Sequence, residues 1–162
     1  MIRKEISLFL RNAPGELAVL AQRMSGAGIN IDALTIQDAS DYVKEIFRAR
    51  GKSLKRIASV ASYQSMTKDS ADFALVRFLT DPFDTAVEIL ENNDYVFDVT
   101  EVIALKLPNR PGSLFEMADR FGQNKININY VYGSVSSPDE KCLFVFCPED
   151  VKLAAKLLME DD

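Results

Sequence analysis

Apolar positions along the chain fall into short segments whose period switches between two residues and three to four. Ile6 to Leu10 and Val102 to Leu107 alternate or are wholly apolar, and read as strands. Behind each comes a stripe at i, i+3, i+4 and i+7: Leu17, Leu20, Ala21 and Met24 in one case, Leu114, Met117, Ala118 and Phe121 in the other. That spacing lines one face of a helix and predicts that all eight side chains are buried. Pro14 and Pro111 are placed at first helical positions, where a missing N–H costs nothing. Second strands are predicted over 29–36 and 126–134, and third strands over 73–79 and 142–146. Asp81-Pro82 and Cys147-Pro148 stop the third strands, and second helices follow near 84–92 and 150–159. Residues 95–99 read as a fourth strand. The order β-α-β-β-α-β, paired antiparallel with both helices on one face, predicts a ferredoxin-like α+β sandwich.

The pattern is a duplication. Asn12-Ala13-Pro14-Gly15-Glu16-Leu17 returns as Asn109-Arg110-Pro111-Gly112-Ser113-Leu114, and Ile29-Asn30-Ile31 returns as Ile126-Asn127-Ile128. One register holds throughout, residue 12 matching 109 and residue 30 matching 127. The 162 residues divide into repeats over 1–99 and 100–162. From Pro14 to Pro82 is 68 residues, against 37 from Pro111 to Pro148, so the first repeat carries an insertion at about 41–69. The second ends straight after its last helix, with no obvious fourth strand. A half of about 60 residues hides little surface, so the copies are expected to share a sheet or a core.

Composition narrows the chemistry. Hydrophobic residues at 48% and charged residues at 27% are ordinary globular usage and argue against disorder. No apolar run reaches the about 18 residues of a membrane span. The start of the chain lacks the apolar stretch of a signal peptide, which points to the cytoplasm. The chain has no histidine, which excludes an imidazole base or a His-ligated metal. A net charge of −5 argues against nucleic acid as main partner. Cys142 and Cys147 are too few for a disulfide framework, and their odd spacing on one strand sends them to opposite faces. Glu149, Asp150 and the carboxylates at the end of the chain read as solvated helix-start and tail charges.

A strand, then Asn-x-Pro-Gly-x-Leu opening a helix, then Ile-Asn-Ile entering the next strand, resembles the ACT domain, a small-molecule sensor of amino acid metabolism. The tandem arrangement resembles short bacterial proteins made of two ACT repeats without a catalytic domain. The likeness covers nearly the whole chain outside 41–69. It implies a non-catalytic regulator that binds a free L-amino acid without a cofactor and acts through subunit packing or on a partner enzyme or regulator. In ACT domains, asparagines matching Asn12, Asn30, Asn109 and Asn127 hold the ligand. The candidate binding residues are thus Asn12, Ala13, Gly15, Glu16, Leu17, Asn30 and Ile31 in the first copy. In the second they are Asn109, Arg110, Gly112, Ser113, Leu114, Asn127 and Ile128.

The residue types suit a zwitterion. A helix start offers unpaired N–H groups to a carboxylate, glycine admits close approach, and an asparagine amide both donates and accepts. Each pair of asparagines is expected to flank one helix N-terminus from adjacent strands. The same Asn-x-Pro-Gly is equally an ordinary way to leave a strand and cap a helix. A protein–protein scaffold without ligand is therefore the second reading, and an enzyme the third. Strand edges left open by the incomplete second repeat predict a homodimer.

The insertion is the basic part of an acidic chain. Lys44, Arg48, Arg50, Lys52, Lys55, Arg56 and Lys68 face only Glu45 between residues 42 and 68. Val43, Ile46, Phe47, Leu54, Ile57, Val60 and Tyr63 supply an apolar set that predicts an ordered helical lobe with a solvated basic face. Docking of an acidic partner is the sharper alternative. Nucleic acid is third, for want of interleaved aromatic residues.

Overall fold

The structure, a computed structural model, describes residues 1–39, 73–134, 137, 138 and 140–159; the helical insertion expected at about 41–69 lies outside them. In chain order the elements are β1 (Ile2–Arg11), α1 (Glu16–Gly26), β2 (Asn30–Asp38), β3 (Phe73–Asp81), α2 (Phe83–Asn92), β4 (Phe97–Pro108), α3 (Ser113–Gln123), β5 (Ile128–Gly133), β6 (Lys141–Pro148) and α4 (Val151–Met159). This is the expected α+β arrangement of antiparallel strands with two helices per repeat. Two compact units divide it: Ile6–Val99, and Met1–Glu5 together with Thr100–Asp162.

In the first unit β3 lies between β2 and β1 and is antiparallel to both. Alternate residues Ile6, Leu8 and Leu10 of β1 and Val76 and Phe78 of β3 share one face. They are buried against Leu20 and Met24 of α1 and Ala86 and Leu90 of α2. The second unit repeats this plan, with Ile103 of β4 and Phe146 of β6 packed under Phe121 of α3 and Ala154, Ala155 and Leu158 of α4. Phe121 meets Phe146 edge-on, at 5.6 Å between ring centres and 83° between planes, the favoured geometry for two quadrupoles. One member of the predicted stripe departs. Leu114 is 43% exposed and its neighbour Phe115 70%, while Ser113 before them is buried and Met117 packs half-buried on the second core. No helix among the described residues is long and apolar enough to cross a membrane.

The fourth strand that the second repeat lacks comes from the start of the chain. Residues Met1–Glu5, which the sequence reading gave to the first repeat, belong to the second unit. There the Met1 carbonyl accepts a hydrogen bond from the Ala104 N–H at 2.8 Å, and the strand order is β1-β4-β6-β5. Likewise the fourth strand expected over 95–99 is the beginning of β4, and Tyr95 and Phe97 pack on the first core. Glu5 is completely buried and accepts hydrogen bonds from the Tyr130 hydroxyl and, at 2.7 Å, the Tyr132 hydroxyl. Both tyrosines stand on β5, opposite Cys147 and Val145 of β6. Phe144 and Phe146 of β6 face the helices, so the tyrosines occupy the other face of the sheet. The two outer strands of this unit are thereby tied across a curled sheet. Burial first, and then the bond to Glu5, holds the Tyr130 hydroxyl well above the ordinary phenol range. Cys142 and Cys147 are both buried and unbridged.

Candidate functional site

Each β-to-α connection is a tight turn. The Glu16 N–H donates to the Ala13 carbonyl at 3.3 Å, and the Ser113 N–H donates to the Arg110 carbonyl at the same distance. Gly15 has φ 93° and ψ −18°, and Gly112 has φ 96° and ψ −25°. Proline second and a left-handed glycine third define a type II turn. Pro14 and Pro111 therefore sit in the turn and not at a first helical position, since the helices begin two residues later. The backbone itself demands these glycines. A side chain added at Gly15 meets nothing within 4 Å, so it is the positive φ that selects glycine there.

Around the turns, the helix caps are the glycines, with no side-chain cap bond from Asn12 or Asn109. The Asn109 Nδ2 instead donates to the Ser137 carbonyl at 3.3 Å. Asn12 and Arg110 are exposed, Ala13, Glu16 and Leu17 half-buried, and Leu17 packs on the first core. Ser113 is only 5% exposed, and its hydroxyl has no hydrogen-bond partner.

The other two asparagines lie at the opposite end of their units. Arg11, just before Asn12, is opposite Phe73, whereas Asn30 is opposite Asp81. Eight residues of β3 separate those positions, about 26 Å at the rise of a strand. In the second unit Pro108 pairs with Lys141 and Ile128 with Pro148, about 23 Å apart on the same measure. The expectation that each asparagine pair flanks one helix N-terminus is therefore wrong. β1 and β2 run in the same direction on either side of β3, with α1 returning between them, so the end of one and the start of the other cannot meet. Ile31 and Ile128, expected to touch ligand, pack against the two cores.

At the Asn127 end the second unit has an open cavity of about 610 Å³. Lys125, Asn127, Glu149, Asp150 and Lys152 line it, with Ile126 among them. The Asn127 carbonyl accepts from the Glu149 N–H at 2.9 Å, which fixes the end of β6 beside the start of β5. Asp150 caps α4, its Oδ1 accepting from the Leu153 N–H at 2.9 Å. The Asn127 Nδ2 reaches Asn129 Oδ1 only at 3.4 Å. Two lysines, two acidic residues and an asparagine thus line one volume. Sequence reasoning missed Lys125 and Lys152 and set Glu149 and Asp150 aside as surface charges. Glu149, Asp150 and Lys152 lie more than twenty residues from Asn127 and only strand pairing brings them to it, whereas Lys125, two residues away in the turn after α3, carries no motif. Among the described residues no group of three metal-ligating side chains occurs.

The sequence model of the ACT domain pair matches residues 50–162. The chain belongs to the ACT domain pair family. Solved structures agree on the fold. A protein from Bacteroides thetaiotaomicron is 22% identical, with a TM-score of 0.72 over 99% of this chain and 89% of that one. The ligand-free regulatory subunit of aspartate kinase from Thermus thermophilus is 12% identical, with a TM-score of 0.57 over 99% and 94%. The corresponding subunit from Thermus flavus is 14% identical, with a TM-score of 0.53 over the same shares. No curated protein matches the chain in sequence. In this ACT pair the duplicated Pro-Gly motif forms the two type II turns, and Asn127 lies just before β5 on the lining of the cavity.

Proposed function

We propose that this ACT pair is a non-catalytic regulatory protein that binds a free L-amino acid and passes on its occupancy through packing against another subunit or a partner. The observation that carries the reading is the cavity at Asn127. Its volume falls within the roughly 300–1,000 Å³ usual for small-molecule sites. Its lysines suit an α-carboxylate, and Glu149 with the Asn127 amide oxygen suits an α-ammonium group. The regulatory part of the reading draws on the aspartate kinase regulatory subunits that share the fold. A homodimer belongs to the same proposal. With Met1–Glu5 filling the second unit's fourth position, it rests on the outer strands β2 and β5 and no longer on a missing strand.

The test is a thermal-shift panel of the twenty L-amino acids, followed by calorimetry of any that stabilise. Ligand at 100 times its dissociation constant should add about 2.7 kcal/mol, and Asn127→Ala should remove that gain without lowering the ligand-free melting temperature. If none of the twenty shifts the melt or releases heat at millimolar concentration, the sensor reading fails and the scaffold reading takes its place.

A further inference from the structure

The two asparagine ends are built alike but charged differently. The repeat register aligns Gly28 with Lys125 and Asp32 with Asn129. Helix α2 buries Ala86 and Leu90 where α4 buries Ala154 and Leu158, which aligns Asp84 with Lys152 and Asp81 with Glu149. The end bearing Asn127 therefore holds two lysines where the end bearing Asn30 holds a glycine and an aspartate. The amides differ too. The Asn30 Nδ2 is held at 2.7 Å by the Asp32 carboxylate, a charge-assisted bond, whereas Asn127 makes only a long contact with neutral Asn129.

Lys125 stands where glycine would be unstrained. Its φ is 57°, left-handed, at the helix-leaving position where the first repeat has Gly28 with φ 72°. Glycine takes this conformation without penalty and lysine does not. Asp94, with φ 56°, holds the same place after α2, so the conformation belongs to the helix ending, and what sets Lys125 apart is the cavity it lines.

Resting on the amino-acid-binding reading, we propose that the second repeat alone is the ligand site, with Lys125 and Lys152 recognising the α-carboxylate, so that each chain binds one amino acid and the first repeat binds none. A carboxylate brought to the Asn30 end would meet Asp32, Asp81 and Asp84 with no lysine at the matching positions. At the Asn127 end Lys125 and Lys152 offset Glu149 and Asp150 on the same lining.

Calorimetry of the intact chain with the stabilising amino acid should give one site per chain. The corresponding amino acid amide, which lacks the carboxylate, should not bind. Lys125→Gly should raise the melting temperature while weakening affinity at least fivefold, a split that a merely structural lysine would not produce. Lys152→Asp should weaken it at least tenfold, and Asp84→Asn in the first repeat should leave it unchanged. Circular dichroism of each variant confirms folding. Two equal sites, binding of the amide, or lysine variants that bind like the parent overturn the asymmetry and leave the sensor reading standing. Absence of binding by any amino acid overturns both.

Discussion

Met24 in the first repeat and Phe121 in the second hold the same helical position, both fully buried, although one side chain is flexible and the other a rigid ring. Such exchanges run through the two cores, where any apolar group of suitable volume preserves the fold. The turns are more alike, because a type II turn admits few residues besides proline and glycine at its centre. The ends of the units differ most. Ala13 faces Arg110 in the alignment, Glu16 faces Ser113, Gly28 faces Lys125 and Asp84 faces Lys152, and every exchange makes the second repeat more positive. Elsewhere in the same register the sign reverses, Val19 facing Glu116 and Gln22 facing Asp119, so it is the exchanges at Gly28 and Asp84, beside the Asn127 cavity in the second copy, that bear on an anion.

The repeats also differ in how they are completed, and the largest expected effect breaks that difference. Glu5→Ala removes the acceptor shared by the Tyr130 and Tyr132 hydroxyls, together with a fully buried side chain. Each hydrogen bond contributes about 0.5–1.5 kcal/mol, and the emptied buried volume adds to the loss, so about 2–3 kcal/mol is expected in chemical denaturation. The loss should fall on the second unit. Amide exchange should accelerate along β4, β5 and β6 and change little along β3. Equal acceleration in both units would mean that Met1–Glu5 do not serve the second unit in particular.

That exchange of strands is the feature least legible in the sequence. Local periodicity located β3 and β6 within two residues and the inner part of β1, and it read β4 as two strands over 95–99 and 102–107, because alternation is a property of neighbouring positions. It could not tell that β1 extends back to Ile2 to serve the other repeat, since Ile2-Arg3-Lys4-Glu5 carries three charges and no apolar alternation. A buried glutamate looks like a surface residue until the two tyrosines reaching it are known, 125 and 127 residues away. The site was legible in the same partial way. Asn127 was singled out through the repeat, but the lysines beside it were not. Spacing of 18 residues between asparagines suggested adjacency, whereas a strand–helix–strand connection of that length returns the chain to the starting end.

A smaller effect sharpens the role of the tyrosine clamp. The Tyr130 hydroxyl is raised above its ordinary value of 10.0 in the folded protein, chiefly by burial and then by its bond to Glu5. For a group whose folded value lies above its unfolded value, the stabilisation is complete below the unfolded value. It is lost as pH rises beyond it. Tyr130→Phe should therefore cost about 1–2 kcal/mol near neutrality, where the bond is intact. The gap from the parent should narrow as pH climbs above 10. Melting curves of the two proteins from pH 7 to 11 provide the check. A constant gap across that range would show that the hydroxyl does not titrate differently in the folded and unfolded chains.

The smallest effect concerns the first residue of the two matched helices and should have opposite signs in the two repeats. Ser113 is buried with an unpartnered hydroxyl, a state that costs roughly 1–3 kcal/mol when a donor is left unsatisfied. Ser113→Ala removes that cost and substitutes a better helix former, so stability should rise by about 1 kcal/mol. Glu16 holds the equivalent position and places a carboxylate in the first turn of α1, where the helix dipole favours it. Glu16→Ala should lower stability by about 0.3–1 kcal/mol, and added salt should shrink that loss. Paired urea titrations measure both. If Ser113→Ala is destabilising, its hydroxyl has a partner in solution, and the two helix starts would then respond alike.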